Sequence, residues 1–316
     1  MRVERGALEG IRPGAGSVLT LGSFDGLHLA HRRLVEQVAE LARADGHEAV
    51  LISFEPHPRE VLADLGRPPV ARLTLEEEKL ELLAACALDR VVLLDFTPEL
   101  ARWEAERFLR DGLLRHFAMR RLVVGDNHAF GQGRGGDLDL LRRLSRELGY
   151  ALDVVEPVLV DGERISSTRI RHELQAGRVE AAARLLGRPF RFQGRVVPGM
   201  GRGRGLGIPT ANLEVSSRQM MPRDGVYAVA ARLMDGRRLP GMMNLGPRPT
   251  FGENARQPEI HLFDFAESLY EQVLKVDILG FVRDTMRFNS GEQLAAQLQK
   301  DRHRIQDRLA TQEGGG

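Results

Sequence analysis

A single cysteine, Cys86, is all that the 316 residues offer for disulfide chemistry. It has no partner in the chain, so stability must come from burial, and nothing points to an oxidising compartment. Long apolar runs are missing as well. No stretch reaches the roughly 18 residues that mark a membrane span. The opening MRVERGALEG lacks the apolar core of a signal peptide. The expectation is a cytoplasmic protein with no membrane partner. Charge of one sign is not in excess: 45 Lys and Arg face 44 Asp and Glu, a formal net charge of +1. That balance gives no electrostatic case for a dedicated nucleic-acid binder, although a local basic strip can hide in the average. Solenoid-period repeats and long low-complexity tracts are also absent. Hydrophobic residues make up 42% and charged residues 28%, a globular mixture that excludes a wholly disordered chain.

The length exceeds the roughly 250–300 residues at which single hydrophobic cores stop growing, so two domains are expected. Up to about residue 150, short apolar runs alternate with helical patterns. SVLTLGSF (17–24), AVLISF (49–54), RVVLLDF (90–96) and RLVVGD (121–126) read as strands. Helices are predicted over 31–44, around 99–117 and over 137–148, and Thr74 with Glu77 forms a capping-box pattern before another. Strand–helix alternation with near-continuous apolar strands implies a parallel sheet covered on both faces, in a Rossmann-like α/β domain. After a helical pair (168–186) the character changes. VYAVAARL (226–233), EIHLFDF (259–265) and VLKVDIL (273–279) read as antiparallel strands. The prediction is an α/β domain over 1–186, then a small antiparallel β-barrel over 187–316 closed by a C-terminal helix.

The stretch LGSFDGLHLAHRRL (21–34) places a strand, a tight turn and a helix in succession. Gly22 and Gly26 let the backbone bend and approach a ligand around Phe24. His28 and His31, three apart at the helix start, share a face. The free N–H groups of that helix end favour a phosphate, and two imidazoles can donate to its oxygens. Two ordinary packing histidines are the plain alternative. In GERISSTRIRHEL (162–174), Ser166, Ser167 and Thr168 precede a helical pattern, flanked by Arg164, Arg169 and Arg171. Guanidinium forks suit phosphate oxygens; a capped helix with solvated arginines is the plainer reading.

GRVVPGMGRGRGLGIPTANLEV (194–215) alternates Gly199, Gly201, Gly203, Gly205 and Gly207 with other residues, including Arg202 and Arg204. Such a loop exposes backbone N–H groups that can wrap phosphates. It also reads as a flexible or RNA-contacting segment. Pro209 leads into Thr210 and Asn212, which point the same way on an extended segment. Their hydroxyl and amide oxygens are hard ligands suited to Mg²⁺. His47, His116, His172 and His303 have no metal-ligand spacing, Asp25 is read as fixing the turn, and Trp103 as packing on an amphipathic helix.

Taken together, GSFDGLHLAH and ISSTRIR resemble the two phosphate motifs of the nucleotidyltransferase superfamily. FEPHP (54–58) and VVGDNHAFGQGRGGD (123–137) resemble motifs of its FAD-synthetase branch. Residues 185–305 resemble the riboflavin kinase domain, through PTAN, MNLGPRPTF (243–251), PEIHLFDF (258–265) and the last strand and helix. The resemblance implies a bifunctional bacterial riboflavin kinase/FAD synthetase. Its substrates would be riboflavin, FMN and ATP, with Mg²⁺ as cofactor. It further implies that Gly22, Phe24, Gly26, His28, His31, Asn127, Arg164, Ser167, Thr168 and Arg171 hold ATP for adenylyl transfer. Phe54, Pro56, His57 and Pro58 would take the flavin there. In the kinase half, Gly199, Gly201, Arg202, Gly203, Arg204, Gly207, Pro209, Thr210 and Asn212 would hold ATP, with Thr210 and Asn212 on the metal. Glu259 would be the base and Arg283 would lie near the flavin. Departures from the family pattern are Ala30 for Gly, His128 for Phe, Pro198, Ile208, and Glu271 for Gly.

Overall fold

The apolar run Ser17–Leu21 is buried at every position, as a central strand of a two-faced sheet requires. The computed structural model describes residues 1–65, 69–199, 209–247 and 256–313. It divides into two compact units, Met1–Ser166 and Ser167–Gly316.

Six strands form the sheet of the first unit: β1 (Arg2–Gly6), β2 (Ser17–Leu21), β3 (Glu48–Glu55), β4 (Arg90–Asp95), β5 (Met119–Gly125) and β6 (Ala151–Val155). Their order is β1-β4-β3-β2-β5-β6, and every pairing is parallel. Alternate residues feed two cores. Leu19, Leu21, Ile52, Leu94 and Val124 pack on one face with Phe108 and Leu113. Val18, Leu51, Val91, Leu93 and Val123 pack on the other with Val35, Val38 and Ala42 of the helix Leu29–Asp45. The expected parallel sheet with both faces covered is thus present. The order in which strands are added reverses between β2 and β5, so the crevice at their C-terminal ends is the place where such sheets bind ligands. A small hairpin, β7 (Leu159–Val160) and β8 (Glu163–Arg164), precedes the second unit.

That unit opens with the helices Ser167–Gln175 and Val179–Leu186. Six antiparallel strands follow: β9 (Phe190–Val197), β10 (Ala211–Glu214), β11 (Gly225–Arg232), β12 (Arg238–Pro247), β13 (Arg256–Leu262) and β14 (Val273–Arg283). They close into a barrel in the order β10-β13-β12-β11-β14-β9, as expected. The final helix, Gly291–Glu313, packs Ile305 against Val226, Ala228 and Val282. The helical pair clusters with the barrel because Glu180 accepts from the Phe281 N–H at 3.3 Å and from Arg308 at 2.6 Å. Its first helix carries Ser167, Thr168 and Arg171, which therefore stand in the second unit.

Two local expectations need correction. The helix around 99–117 is broken into Pro98–Ala101, Ala105–Arg107 and a π-wound segment Phe108–His116. The break frees the Trp103 carbonyl to accept from the Gln132 N–H at 2.9 Å. Thr74 does not cap a helix. The helix begins at Glu76 after Leu75, with no side-chain cap, and the Thr74 hydroxyl instead accepts from the Gly26 N–H at 3.0 Å.

Glu271 adopts φ 66°, the left-handed region that costs a non-glycine residue roughly 1–2 kcal/mol. Its only compensation of note is an exposed contact with Arg195 at 3.3 Å, worth little. Glu271→Gly is therefore expected to stabilise the second unit by about 0.5–1 kcal/mol after glycine's entropy cost. A higher denaturant midpoint with an unchanged slope is the observation that checks it.

Candidate functional sites

At the switch point, β2 ends and the chain runs through Gly22–His28 into the helix Leu29–Asp45. Phe24 and Leu27 take φ of 46° and 35°, on either side of Gly26 at 89°. Bulky residues held in the left-handed region mark a backbone over-determined by its surroundings, and such strain concentrates at ligand sites. The holding groups are visible. Asp25 accepts from the Leu73 and Thr74 N–H groups at 2.9 and 3.0 Å, and Lys79 donates to the Ser23 carbonyl at 3.0 Å.

His28 caps the helix: its Nδ1 accepts from the His31 N–H at 3.3 Å. The two imidazoles stack with centroids 3.6 Å apart and planes 14° apart, and Phe24 meets His31 edge-on at 5.2 Å. Burial, then the neighbouring His28 and Lys79, hold the His31 imidazole well below its ordinary range. Two stacked rings on one helix end give adjacent donors to an anion.

Beside this turn, still within the first unit, lies a cavity of about 510 Å³. Gly22, Phe54, His57, Pro58, Trp103, Phe108, His128 and Phe130 are among its lining residues. Phe54 meets Phe96 edge-on at 5.5 Å. Gly131 closes the loop over Ala105, where a Cβ would come within 2.7 Å of backbone atoms, and its φ of 73° also favours glycine. Pro56 is exposed beside the cavity. Asn127 is exposed in the loop after β5, and Arg164 pairs with Asp126 at 2.6 Å.

His128 Nε2 is buried with no hydrogen-bond partner, and burial lowers its pKa from 6.5 to about 4. The unfolded chain therefore takes up a proton below pH 6.5 that the folded state refuses until about pH 4. Stability from this group is present above pH 6.5 and is lost as pH falls toward 4. His128→Phe is expected to flatten the acid limb of a stability–pH profile between pH 7 and 4.5, as thermal unfolding of the variant would report.

The second site lies on the barrel. Thr210 Oγ1 donates to Glu259 Oε1 at 2.6 Å. Asn212 on β10 stands directly opposite Glu259 on β13, and Asn244 on β12 stands opposite it on the other side. Residues directly opposite share a face of the sheet, so Asn212, Glu259 and Asn244 form one row across three strands. Asn212 is buried and Glu259 half-buried. A Cβ at Gly199 would collide with the Asn212 amide, so only glycine lets that backbone lie so close. Arg283 ends β14, where Nε and Nη2 grip the Asp301 carboxylate of the final helix at 2.8–3.1 Å. Gly201, Arg202, Gly203, Arg204 and Gly207 lie outside the described residues.

The sequence reading gave Thr74 and Trp103 other roles, a cap and a packed helix face, and left Lys79 and Asn244 without one. Three of them touch the first site's turn or cavity, and Asn244 completes the row on the barrel. Only Asn244 stood inside a quoted motif.

A parallel sheet with a phosphate-type turn at its switch point, joined to a barrel bearing a carboxylate beside hydroxyl and amide oxygens, defines a two-unit phosphate-transfer enzyme. The FAD synthetase family model matches residues 12–169 and the Riboflavin kinase model residues 186–309. The chain belongs to the bifunctional riboflavin kinase/FMN adenylyltransferase family. It is 39% identical to the relative of that description from Escherichia coli (strain K12), over 92% of this chain and 91% of that protein. The relative from Pseudomonas fluorescens is 38% identical, over 95% and 96%. A crystal structure described as a macrolide-efflux protein from Streptococcus pneumoniae aligns with TM-score 0.87 at 29% identity, covering 97% of this chain and 99% of that one. Among the described residues of this chain, no helix is long and apolar enough to cross a membrane.

Proposed function

We propose that the two units divide two ATP-dependent steps between them: the barrel phosphorylates riboflavin to FMN, and the parallel-sheet unit adenylylates FMN to FAD with release of pyrophosphate. Single-cysteine composition and ATP chemistry suit a cytoplasmic setting. In the adenylylating half, the FMN phosphate attacks the α-phosphorus of ATP. No covalent enzyme intermediate is needed, so catalysis is positioning plus charge stabilisation. His28 and His31 hold the α-phosphate as its charge builds. Gly22, Phe24 and Gly26 shape the turn around the nucleotide, with Asn127 at its edge. Arg164 takes the β- and γ-phosphates. The flat aromatic isoalloxazine fits the cavity walled by Phe54, His57, Pro58 and Trp103, beside Pro56.

In the barrel, the ribityl 5′-hydroxyl attacks the γ-phosphorus of ATP. An alcohol is a poor nucleophile at neutral pH, and Glu259 accepts its proton. Thr210, Asn212 and Glu259 offer an all-oxygen donor set, which fits a hard divalent cation such as Mg²⁺. Thr210 and Asn212 would hold that ion, and bound with ATP it supplies charge neutralisation. The glycine–arginine segment, with Gly199 and Pro209 at its ends, wraps the phosphates, and Arg283 lies near the flavin.

The observation that carries this reading is the Thr210–Glu259 hydrogen bond with Asn212 directly across from the carboxylate: a base and two neutral oxygen ligands on one patch. Incubation of the purified chain with riboflavin, ATP and Mg²⁺, followed by chromatography of the flavins, tests it. FMN appearing first and FAD after it is the expected order. Saturable flavin binding without product would sink the reading in favour of a non-catalytic flavin sensor.

A further inference from the structure

Lysine is rare in this chain. Of the 45 basic residues 42 are arginine, and the lysines are Lys79, Lys275 and Lys300. Only Lys79 is buried, at 2% exposure. It sits directly under the turn that begins the first site. Nζ donates to the Ser23 carbonyl at 3.0 Å and to Ser53 Oγ at 3.2 Å. An ammonium has three N–H donors, so one is left over, and both partners in use are neutral. Among the described residues no carboxylate forms an ion pair with it. Asp25, Glu55 and Glu76 lie within electrostatic reach, but their hydrogen bonds go to other groups. Asp25 accepts from the Leu73 and Thr74 N–H groups. Glu55 pairs with Arg72 at 2.8 Å, and Glu76 with Arg5 at 2.7 Å. Arg72 and the His28–His31 pair add no negative charge.

A buried ammonium whose hydrogen bonds go to neutral partners is costly, and it is kept where it holds something in place. The backbone above Lys79 indicates what. The Ser23–Phe24 peptide is trans, so its carbonyl and its N–H lie on opposite sides. Lys79 grips the carbonyl. The Phe24 N–H therefore faces away from Lys79, and it has no partner among the described residues. Phe24 itself is strained at φ 46°. A compact ammonium reaches two oxygens in a tight space where a planar guanidinium fork does not, which accounts for a lysine in so arginine-rich a chain.

We propose that Lys79 is a positioning residue for adenylyl transfer: it fixes the Ser23–Phe24 peptide so that the Phe24 N–H meets a phosphoryl oxygen of the nucleotide. This rests on the assignment of ATP to the first site. Burial lowers the Lys79 pKa, against the pull of Asp25 and Glu55.

Lys79→Met in the full chain tests it, since methionine keeps the length and removes the charge. The expected variant unfolds at the same temperature as wild type or higher. Its kcat/KM for ATP in FAD formation falls about 10–100-fold, the range for groups that orient others. KM for FMN and the rate of riboflavin phosphorylation stay within roughly twofold. A variant that unfolds earlier, or does not fold, assigns Lys79 a purely structural role and overturns the proposal. So does a variant that makes FAD as fast as wild type. If wild type makes no FAD at all, the underlying assignment fails instead, and the comparison of the two proteins separates these cases.

Discussion

Replacing His28 with asparagine is expected to slow conversion of FMN to FAD by about 10²–10³-fold, the usual loss when one preorganised donor is removed from a developing anion. Asparagine is chosen because His28 does two things. Its Nδ1 caps the helix by accepting from the His31 N–H, a service worth about 1 kcal/mol that an asparagine oxygen performs equally well. Its ring also stacks on His31 at 3.6 Å and presents the second nitrogen. His28→Asn keeps the cap and deletes the donor. His28→Ala deletes both, so it should lose the same activity and some stability besides. Riboflavin phosphorylation by the barrel should stay within roughly twofold in both variants. Steady-state assays with FMN and ATP, reading FAD and pyrophosphate, supply the check. Equal loss of both activities in a folded His28→Asn protein would contradict the division of labour between the units.

The effect is large because the charge on His31 is not adjustable. Burial, with His28 and Lys79 close by, keeps that imidazole neutral at and below neutral pH. A neutral ring still donates one hydrogen bond, but it brings no full positive charge to the phosphate. Its single donation therefore works alongside that of His28 stacked on it, and removal of either leaves half a cradle. The same burial has an acid cost. The unfolded chain protonates His31 near pH 6.5 while the folded chain does not, so this contribution to stability also declines as pH falls below that value.

How much of this was legible in the sequence depends on how local each feature is. The central strands announced themselves because both faces are buried, giving unbroken apolar runs at Ser17–Leu21 and Arg90–Asp95. The sheet's edges did not. β1 reads RVERG, with three of its five residues charged, because an edge strand keeps polar side chains toward water. β12 reads RLPGMMNLGP, and its prolines and glycines look like a loop until β11 and β13 are in place on either side of it. The 28/31 and 210/212 spacings are short-range and were readable as such. That Glu259 meets Thr210, 49 residues away, follows only from the β10–β13 register. The resemblance of the PEIHLFDF strand to a kinase family raised it above an ordinary strand glutamate.

Thr74 and Lys79 show the opposite failure. Thr-x-x-Glu is a sound capping signal, and a lysine after three glutamates reads as a solvated helix face. Tertiary structure overrode both. The hydroxyl was taken by the Gly26 N–H and the ammonium by the Ser23 carbonyl, because the strained turn needs fixed partners and these are the groups beneath it. Trp103 misled in the same way. Its ring packs over Arg107 at 4.0 Å, as an amphipathic helix would predict, yet it also walls the cavity.

Glu259→Gln is expected to lower FMN formation from riboflavin by about 10²–10⁴-fold, the span of general base catalysis. The amide keeps the size of the carboxylate, and its oxygen still accepts from Thr210 Oγ1, now at 2.6 Å from Glu259. The row of Asn212, residue 259 and Asn244 across three strands is thus preserved, and the barrel should unfold at its normal temperature. What disappears is the site that receives the hydroxyl proton. FAD formation from supplied FMN should be unchanged, whereas FAD formation from riboflavin should fall in proportion to FMN. The magnitude also separates two mechanisms. Phosphoryl transfer passes through a loose transition state that asks little of the nucleophile. If the glutamine variant retains roughly a tenth of wild-type rate or more, which is less than a base normally contributes, then Glu259 orients the hydroxyl and its proton leaves by another route. A loss of several hundredfold, with the affinity for ATP intact, assigns proton removal to the carboxylate itself.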